Sequence, residues 1–154
     1  MPGSDVDAVS LNERENGMHV REMLSSHPQA GGSVSDVLVQ CIEACFDCAQ
    51  TCMSCADACL AETSESSLAR CIRLDLDCAD ACAATGSVLT RRTAATSALM
   101  VQMLETCADF CRRCADECDK HSDRHRHCRI CAEACRQCER ACHQAATASG
   151  LTEP

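Results

Sequence analysis

Along most of the chain the apolar positions recur in steps of three and four, with charged residues between them. From Cys41 the seam runs through Cys45, Cys48, Cys52, Cys55 and Cys59, while Glu43, Asp47 and Asp57 fall off it. Residues three or four apart share one helix face. Alternating the two steps keeps a single stripe, the a/d seam of a heptad. The pattern returns sparsely at Cys71, Cys78 and Cys82, then fully at Cys107, Cys111, Cys114 and Cys118, and again at Cys128, Cys131, Cys135, Cys138 and Cys142. Asp80, Arg112, Asp116, Glu133 and Arg140 lie off these stripes, as a solvated face should.

Four such stretches predict an all-α fold, an antiparallel up-down-up-down four-helix bundle with a short N-terminal helical segment. Ser33 or Ser35 can cap the first bundle helix, which runs to about Ala61. Thr63 or Ser64 can cap the second, with Gly86 as its terminating residue. Thr90 can cap the third, running to about Lys120, and Ser122 the fourth, ending before Gly150. Residues 1–33 form an N-terminal segment and linker, 34–148 the cysteine-lined bundle and 149–154 a tail. Within the front segment, LNERENGMHVREMLSS can form a short helix with Met18, Val20, Met23 and Leu24 as apolar contacts. It reads equally as a frayed tail or as a helix docked on the bundle or on a neighbouring subunit.

Antiparallel topology sorts the seams into levels. Cys59, Cys71, Cys118 and Cys128 share the turn end. Next come Cys55, Cys114 and Cys131 with Leu74 or Asp75, then Cys52, Cys78, Cys111 and Cys135, then Cys48, Cys82, Cys107 and Cys138. Cys45 and Cys142 follow with Thr85 and Leu104, and Cys41 lies beyond them near Leu89 and Met100. The line of thiols on the first helix is roughly 27 Å long.

Composition sharpens this picture. Among 154 residues there are 18 Cys, two Phe, and no Trp or Tyr, so large side chains do not fill the interior. Six Gly and three Pro are too few for a loop-rich disulfide scaffold. No basic start followed by an apolar run marks a secretion signal, and no window suits a bilayer. The chain is expected to be soluble and cytoplasmic, where thiols stay reduced and dense cysteine points to metal or redox chemistry. The net charge of −9 supplies no basic stripe, so no nucleic-acid partner and no membrane are expected.

A lone buried Cys is a small hydrophobe, but eighteen on matching seams invite oxidation that Ala or Val would avoid. Disulfides within one helix are strained, since neighbouring Cβ atoms sit about 5–6 Å apart where a disulfide wants roughly 3.8 Å. A thiolate column selects soft metals. Iron–sulfur spacings are absent. Zinc wants closed tetrahedral sites, and several levels are incomplete. Many Cu(I) ions suit the uninterrupted column better. A zinc or cadmium thiolate store remains the alternative. A thiol redox protein is a further one, though it needs an exposed, low-pKa cysteine.

The run from CIEACFDCAQTCMSCADAC through CADFCRRCADEC to CRICAEACRQCERAC resembles the bacterial copper storage proteins, and the missing signal resembles their cytosolic branch. The likeness covers about residues 34–148. It implies a non-enzymatic store of multiple Cu(I) ions, commonly a homotetramer, served by a copper donor or acceptor protein. It carries all 18 cysteines over as ligands, the least certain level being that of Leu74 and Asp75.

The two ends of the column differ. Val34, Val37, Leu38, Leu89, Leu99, Met100, Met103 and Leu104 lie toward one end, where the two Met read as core before soft ligands. The other carries KHSDRHRHC. There His121 continues the third seam beyond Cys118 and His125 precedes Cys128 by three, whereas His127 is off the seam. Such a turn is usually just solvated, yet two imidazoles that prolong thiol lines make entry-site ligands. Glu62 can also reach this end.

Overall fold

The computed structural model describes residues 19–62 and 66–148. Among these, five α-helices form and no strand: α1 Val20–Ser25, α2 Asp36–Ala61, α3 Ala69–Leu89, α4 Ser97–Asp119 and α5 Arg126–Thr147. A 3₁₀ turn, Ser66–Leu68, leads into α3. Helices α2 to α5 pack as a square in chain order, α2 against α3 and α5, and α4 against α3 and α5. Short connections make consecutive helices antiparallel, so the expected up-down-up-down bundle is present.

The heptad seams turn inward as their spacing requires. All 18 cysteines are free thiols and buried, none more than 3% exposed. Small Ala residues flank them at Ala49, Ala79, Ala108, Ala115 and Ala132, also buried. Small flanks let the helices approach closely enough for sulfur to meet sulfur across the axis.

Helix boundaries follow burial more closely than capping chemistry. Ser35 caps α2 as expected, its Oγ accepting from the Leu38 N–H at 3.4 Å. Helix α3 does not stop at Gly86 but runs to Leu89, which is 1% exposed. Thr90 therefore closes α3 instead of opening the next helix. Between Leu89 and Leu99 the largest apolar residue is Ala, so nothing holds a helix there, and Ala94 takes a left-handed φ of 52°. Helix α4 then begins after Thr96. Helix α5 starts after His125 and not at Ser122, because the chain stays in turns closed by His125 N–H to His121 O at 2.9 Å. Thr63 and Ser64 lie outside the described residues.

The end remote from the histidines is apolar. Leu38, Ile42, Leu89, Met100 and Leu104 are buried there, with Val34, Val37 and Met103 half-buried. Leu99 departs from the expected plug, at 58% exposed. Helix α1 lies against α2 and buries Val20 and Leu24 in the same core, while Met23 faces solvent and Met18 lies outside the described residues. Arg21 Nη2 donates to Asp36 Oδ1 at 2.6 Å, and His27 Nε2 lies 3.2 Å from Thr93 Oγ1. These contacts tie the front segment to the apolar end.

Gly86 marks a close approach of α2 and α3. A Cβ there would sit 3.1 Å from Cε2 and Cζ of Phe46 and 3.3 Å from the Cβ of Cys45. Ala in mid-helix normally gains about 1 kcal/mol over Gly. Here the backbone-anchored Cys45 cannot yield, and Gly86→Ala is expected to lower the melting temperature of the reduced protein, by about 1 kcal/mol in stability. Trimming the ring with Phe46→Leu should recover part of that loss. A raised melting temperature in Gly86→Ala alone would contradict this packing.

Candidate metal centre

The thiols do not form flat levels. Cys45, Cys107, Cys138 and Cys142 gather around one point, and Cys48, Cys82, Cys111 and Cys138 around the next. Then come Cys48, Cys52, Cys78 and Cys135, followed by Cys52, Cys114, Cys131 and Cys135. Within each group the sulfurs lie within 4.8 Å of one another. Each group takes sulfurs from two adjoining expected levels, and Cys48, Cys52, Cys135 and Cys138 each belong to two groups. The cause is the alternating three- and four-residue step, which staggers facing seams by part of a turn. Close pairs thread the whole column: Cys82–Cys111 at 3.5 Å, Cys52–Cys135 and Cys71–Cys118 at 3.6 Å, and Cys82–Cys107 at 3.7 Å. Cys41 joins at the apolar end, 4.0 Å from Cys142.

At the interrupted level it is Asp75, not Leu74, that enters the column. Asp75 is completely buried, and Leu74 is half-buried. The thiols of Cys114, Cys131 and Cys118 donate to Asp75 Oδ1 at 3.1, 3.3 and 3.4 Å, and Cys71 Sγ lies 4.0 Å from Oδ2. Burial, then the repulsion a thiolate at Cys131 or Cys114 would exert, push its carboxyl up to about 10. Asp75 is therefore protonated at neutral pH, and the column carries no fixed charge at this point.

The thiols titrate as one coupled set. The neighbouring thiols of Cys111 and Cys135 draw Cys48 down, while those of Cys114 and Cys131 push Cys52 up. One thiolate thus keeps its neighbours protonated. Nearer the histidine end, burial and the field of Cys71 raise Cys59 to about 12. A cation that displaces these protons relieves both burial cost and mutual repulsion.

The histidine end brings in a side chain that seam counting left out. His127 Nδ1 lies 3.5 Å from the sulfurs of both Cys55 and Cys128 and 3.9 Å from that of Cys59, completing a four-ligand group. In the first turn of α5 its ring reaches across to α2, because helix side chains lean toward the N-terminus. Its Nε2 lies 3.1 Å from Glu62 Oε1. That same oxygen is 3.2 Å from His125 Nδ1, and the two rings stand 5.3 Å apart. His121 is 6% exposed, with Nε2 3.3 Å from Glu117 Oε1. Of the expected histidines, His125 turns Nδ1 to a carboxylate, and His121 is buried beside another. Met100 is buried in the apolar plug, and Met103 is half-buried.

A family model described as copper storage protein matches residues 34–147. Solved structures agree in fold. The copper storage protein Ccsp from Streptomyces lividans, loaded with 10 copper equivalents, is 47% identical, with a TM-score of 0.77 over 80% of this chain and 95% of that one. A cytosolic copper storage protein from the same organism, holding five coppers, is 43% identical, with a TM-score of 0.70 over 86% and 98%. A further Cu(I)-bound copper storage protein is 41% identical, with a TM-score of 0.63 over 70% and 95%. A search of curated proteins matches none.

Asp75 makes the metal-free protein sensitive to pH in a defined sense. A carboxyl whose pKa is raised on folding holds a proton the unfolded chain has lost, so stability falls as pH rises from the unfolded value toward about 10. The slope from this group is at most about 1.4 kcal/mol per pH unit. Asp75→Asn is expected to stabilise the reduced apoprotein at pH 8, with the advantage shrinking toward pH 4. Denaturant melts of both proteins across that range measure it, and parallel curves would contradict a buried, protonated Asp75.

Proposed function

The chain belongs to the copper storage protein family, and we propose that it holds many Cu(I) ions in its buried thiol column, as a cytosolic store rather than a catalyst. The observation that carries this reading is the overlap of the four-thiol groups, with Cys48, Cys52, Cys135 and Cys138 each common to two. A shared sulfur can bridge two ions, which suits Cu(I) with its two or three soft ligands. Separate tetrahedral zinc sites need unshared ligands and fit the overlap poorly.

All 18 cysteines serve as ligands in this reading. Copper enters at the end where Cys55, Cys59, Cys128 and His127 gather, with His121 and His125 beside them. Imidazole binds Cu(I) less tightly than thiolate does, so it passes the ion inward. The opposite end is closed by Leu38, Leu89, Met100 and Leu104. Residues 34–148 constitute the storage domain, with 1–33 as an arm and 149–154 as a tail. Self-assembly into a tetramer belongs to the same reading. It is supported by Met53 and Leu60, two turns apart on α2 and 53% and 70% exposed.

Copper bound by the free column is expected to exceed about nine ions per chain, the number reached if each takes two unshared thiolates. Anaerobic titration of the reduced protein with Cu(I), followed by metal analysis after gel filtration, counts them. Saturation at one or two Cu(I), or preferential retention of Zn(II) against Cu(I), would overturn the storage of copper.

A further inference from the structure

Two glutamates outside the thiol column stand behind the mouth imidazoles. Glu62 closes α2, and its Oε1 faces Nε2 of His127 at 3.1 Å and Nδ1 of His125 at 3.2 Å. Glu117, 5% exposed on α4, faces Nε2 of His121 at 3.3 Å through Oε1. Its Oε2 accepts from Lys120 Nζ at 2.8 Å and from Arg70 Nε at 3.2 Å. Lys120 and Arg70 hold Glu117 ionised, and Glu62, 36% exposed, is ionised at neutral pH as a solvated carboxylate is.

An ionised carboxylate only accepts hydrogen bonds, so the ring nitrogen facing it must carry a proton. A neutral imidazole has one N–H, which leaves the other nitrogen bare. For His127 the bare atom is Nδ1, the one turned to Cys55, Cys59 and Cys128. For His121 it is again Nδ1, which is buried with no hydrogen-bond partner. A buried acceptor without a donor is costly, and a passing cation is a partner that would satisfy it. His125 is held the other way round, with its Nδ1 proton engaged by Glu62.

We propose that Glu62 and Glu117 are positioning residues for copper uptake, each fixing one mouth imidazole with Nε2 protonated and Nδ1 open to Cu(I). The proposal rests on the copper-storage reading above. It makes neither glutamate a ligand. Their effect is the one that outer carboxylates have on metal-bound histidines elsewhere: they orient the ring, set its tautomer and raise its basicity. Glu62 is well placed for this, since it also lies beside the N-terminal turn of α5, where negative charge is favoured. The arrangement gives the mouth ring nitrogens that are ready before copper arrives, with no proton to lose from the imidazole.

Long-range ¹H–¹⁵N NMR of the reduced, copper-free full chain reads the tautomers directly. Expected are Nε2–H for His121 and His127 and Nδ1–H for His125. Stopped-flow transfer from a Cu(I)–bicinchoninate complex then reads uptake. Glu62→Ala and Glu117→Ala should each slow it about tenfold. Glu62→Gln and Glu117→Gln, which keep a carbonyl acceptor and the side-chain volume, should recover part of the rate. In a background with both His125→Ala and His127→Ala, Glu62→Ala should have no further effect, because it acts only through those two rings. Nδ1–H on His127 and His121 in the unmodified protein would overturn the proposal. So would an undiminished Glu62→Ala effect when both His125 and His127 are gone. Failure of the storage reading shows elsewhere, as saturation of the unmodified protein at one or two Cu(I); the tautomers are read with no copper present.

Discussion

Sulfur meeting sulfur across a bundle axis is the contact on which this molecule depends. The column depends on side chains of one length at nearly every seam position, Asp75 being an exception, so that thiols from four helices reach the same line. Cys82 lies 3.5 Å from Cys111, 3.7 Å from Cys107 and 3.9 Å from Cys138, contacts from two other helices at one sulfur. A longer residue at any of these positions would push a helix outward, and a shorter one would open a gap. The near absence of aromatics follows from the same constraint: two Phe in the chain, both half-buried. So does the placing of Leu38, Ile42, Leu89, Met100 and Leu104 at one end, where ordinary apolar packing can anchor the helices without entering the column.

The polar atoms admitted to the interior are few and graded along the axis. At the apolar end the thiols have only each other. Further along, Asp75 takes S–H donation from three cysteines and stays protonated. At the open end, His127 replaces a thiol among Cys55, Cys59 and Cys128. Charged and imidazole side chains are thus met at the mouth and give way inward to thiols. This gradient favours an ion that binds soft ligands and needs no water in its coordination sphere.

The heptad step made the architecture legible, together with the inward direction of every cysteine, because period alone decides which face a helical residue occupies. It did not place the levels, since stagger between facing helices depends on how they pack. Nor did it separate Leu74 from Asp75. Adjacent positions at the edge of a seam differ by a rotation that only the neighbouring helices settle. His127 was lost to the same counting: it is off the stripe, but a first-turn side chain leans past the helix end. Helix limits at Gly86, Thr90 and Ser122 were misread because capping residues are common in polar turns, whereas the chain followed the burial of Leu89 and the turn at His121. Glu117 had a local signal in Lys120 and His121, three and four residues on, but Arg70 joins it only through the fold.

The central claim is that the helices build the column before any metal arrives. Protonated thiols are small and apolar enough to be buried, and their contacts with one another need no ion. Zinc fingers, whose few ligands must be gathered by the metal, behave in the opposite way. Far-UV circular dichroism of the reduced, metal-free protein during anaerobic addition of Cu(I) tests this most directly. The account predicts a fully helical spectrum at the start that changes little up to saturation. A coil-like spectrum that becomes helical only as copper binds would contradict it.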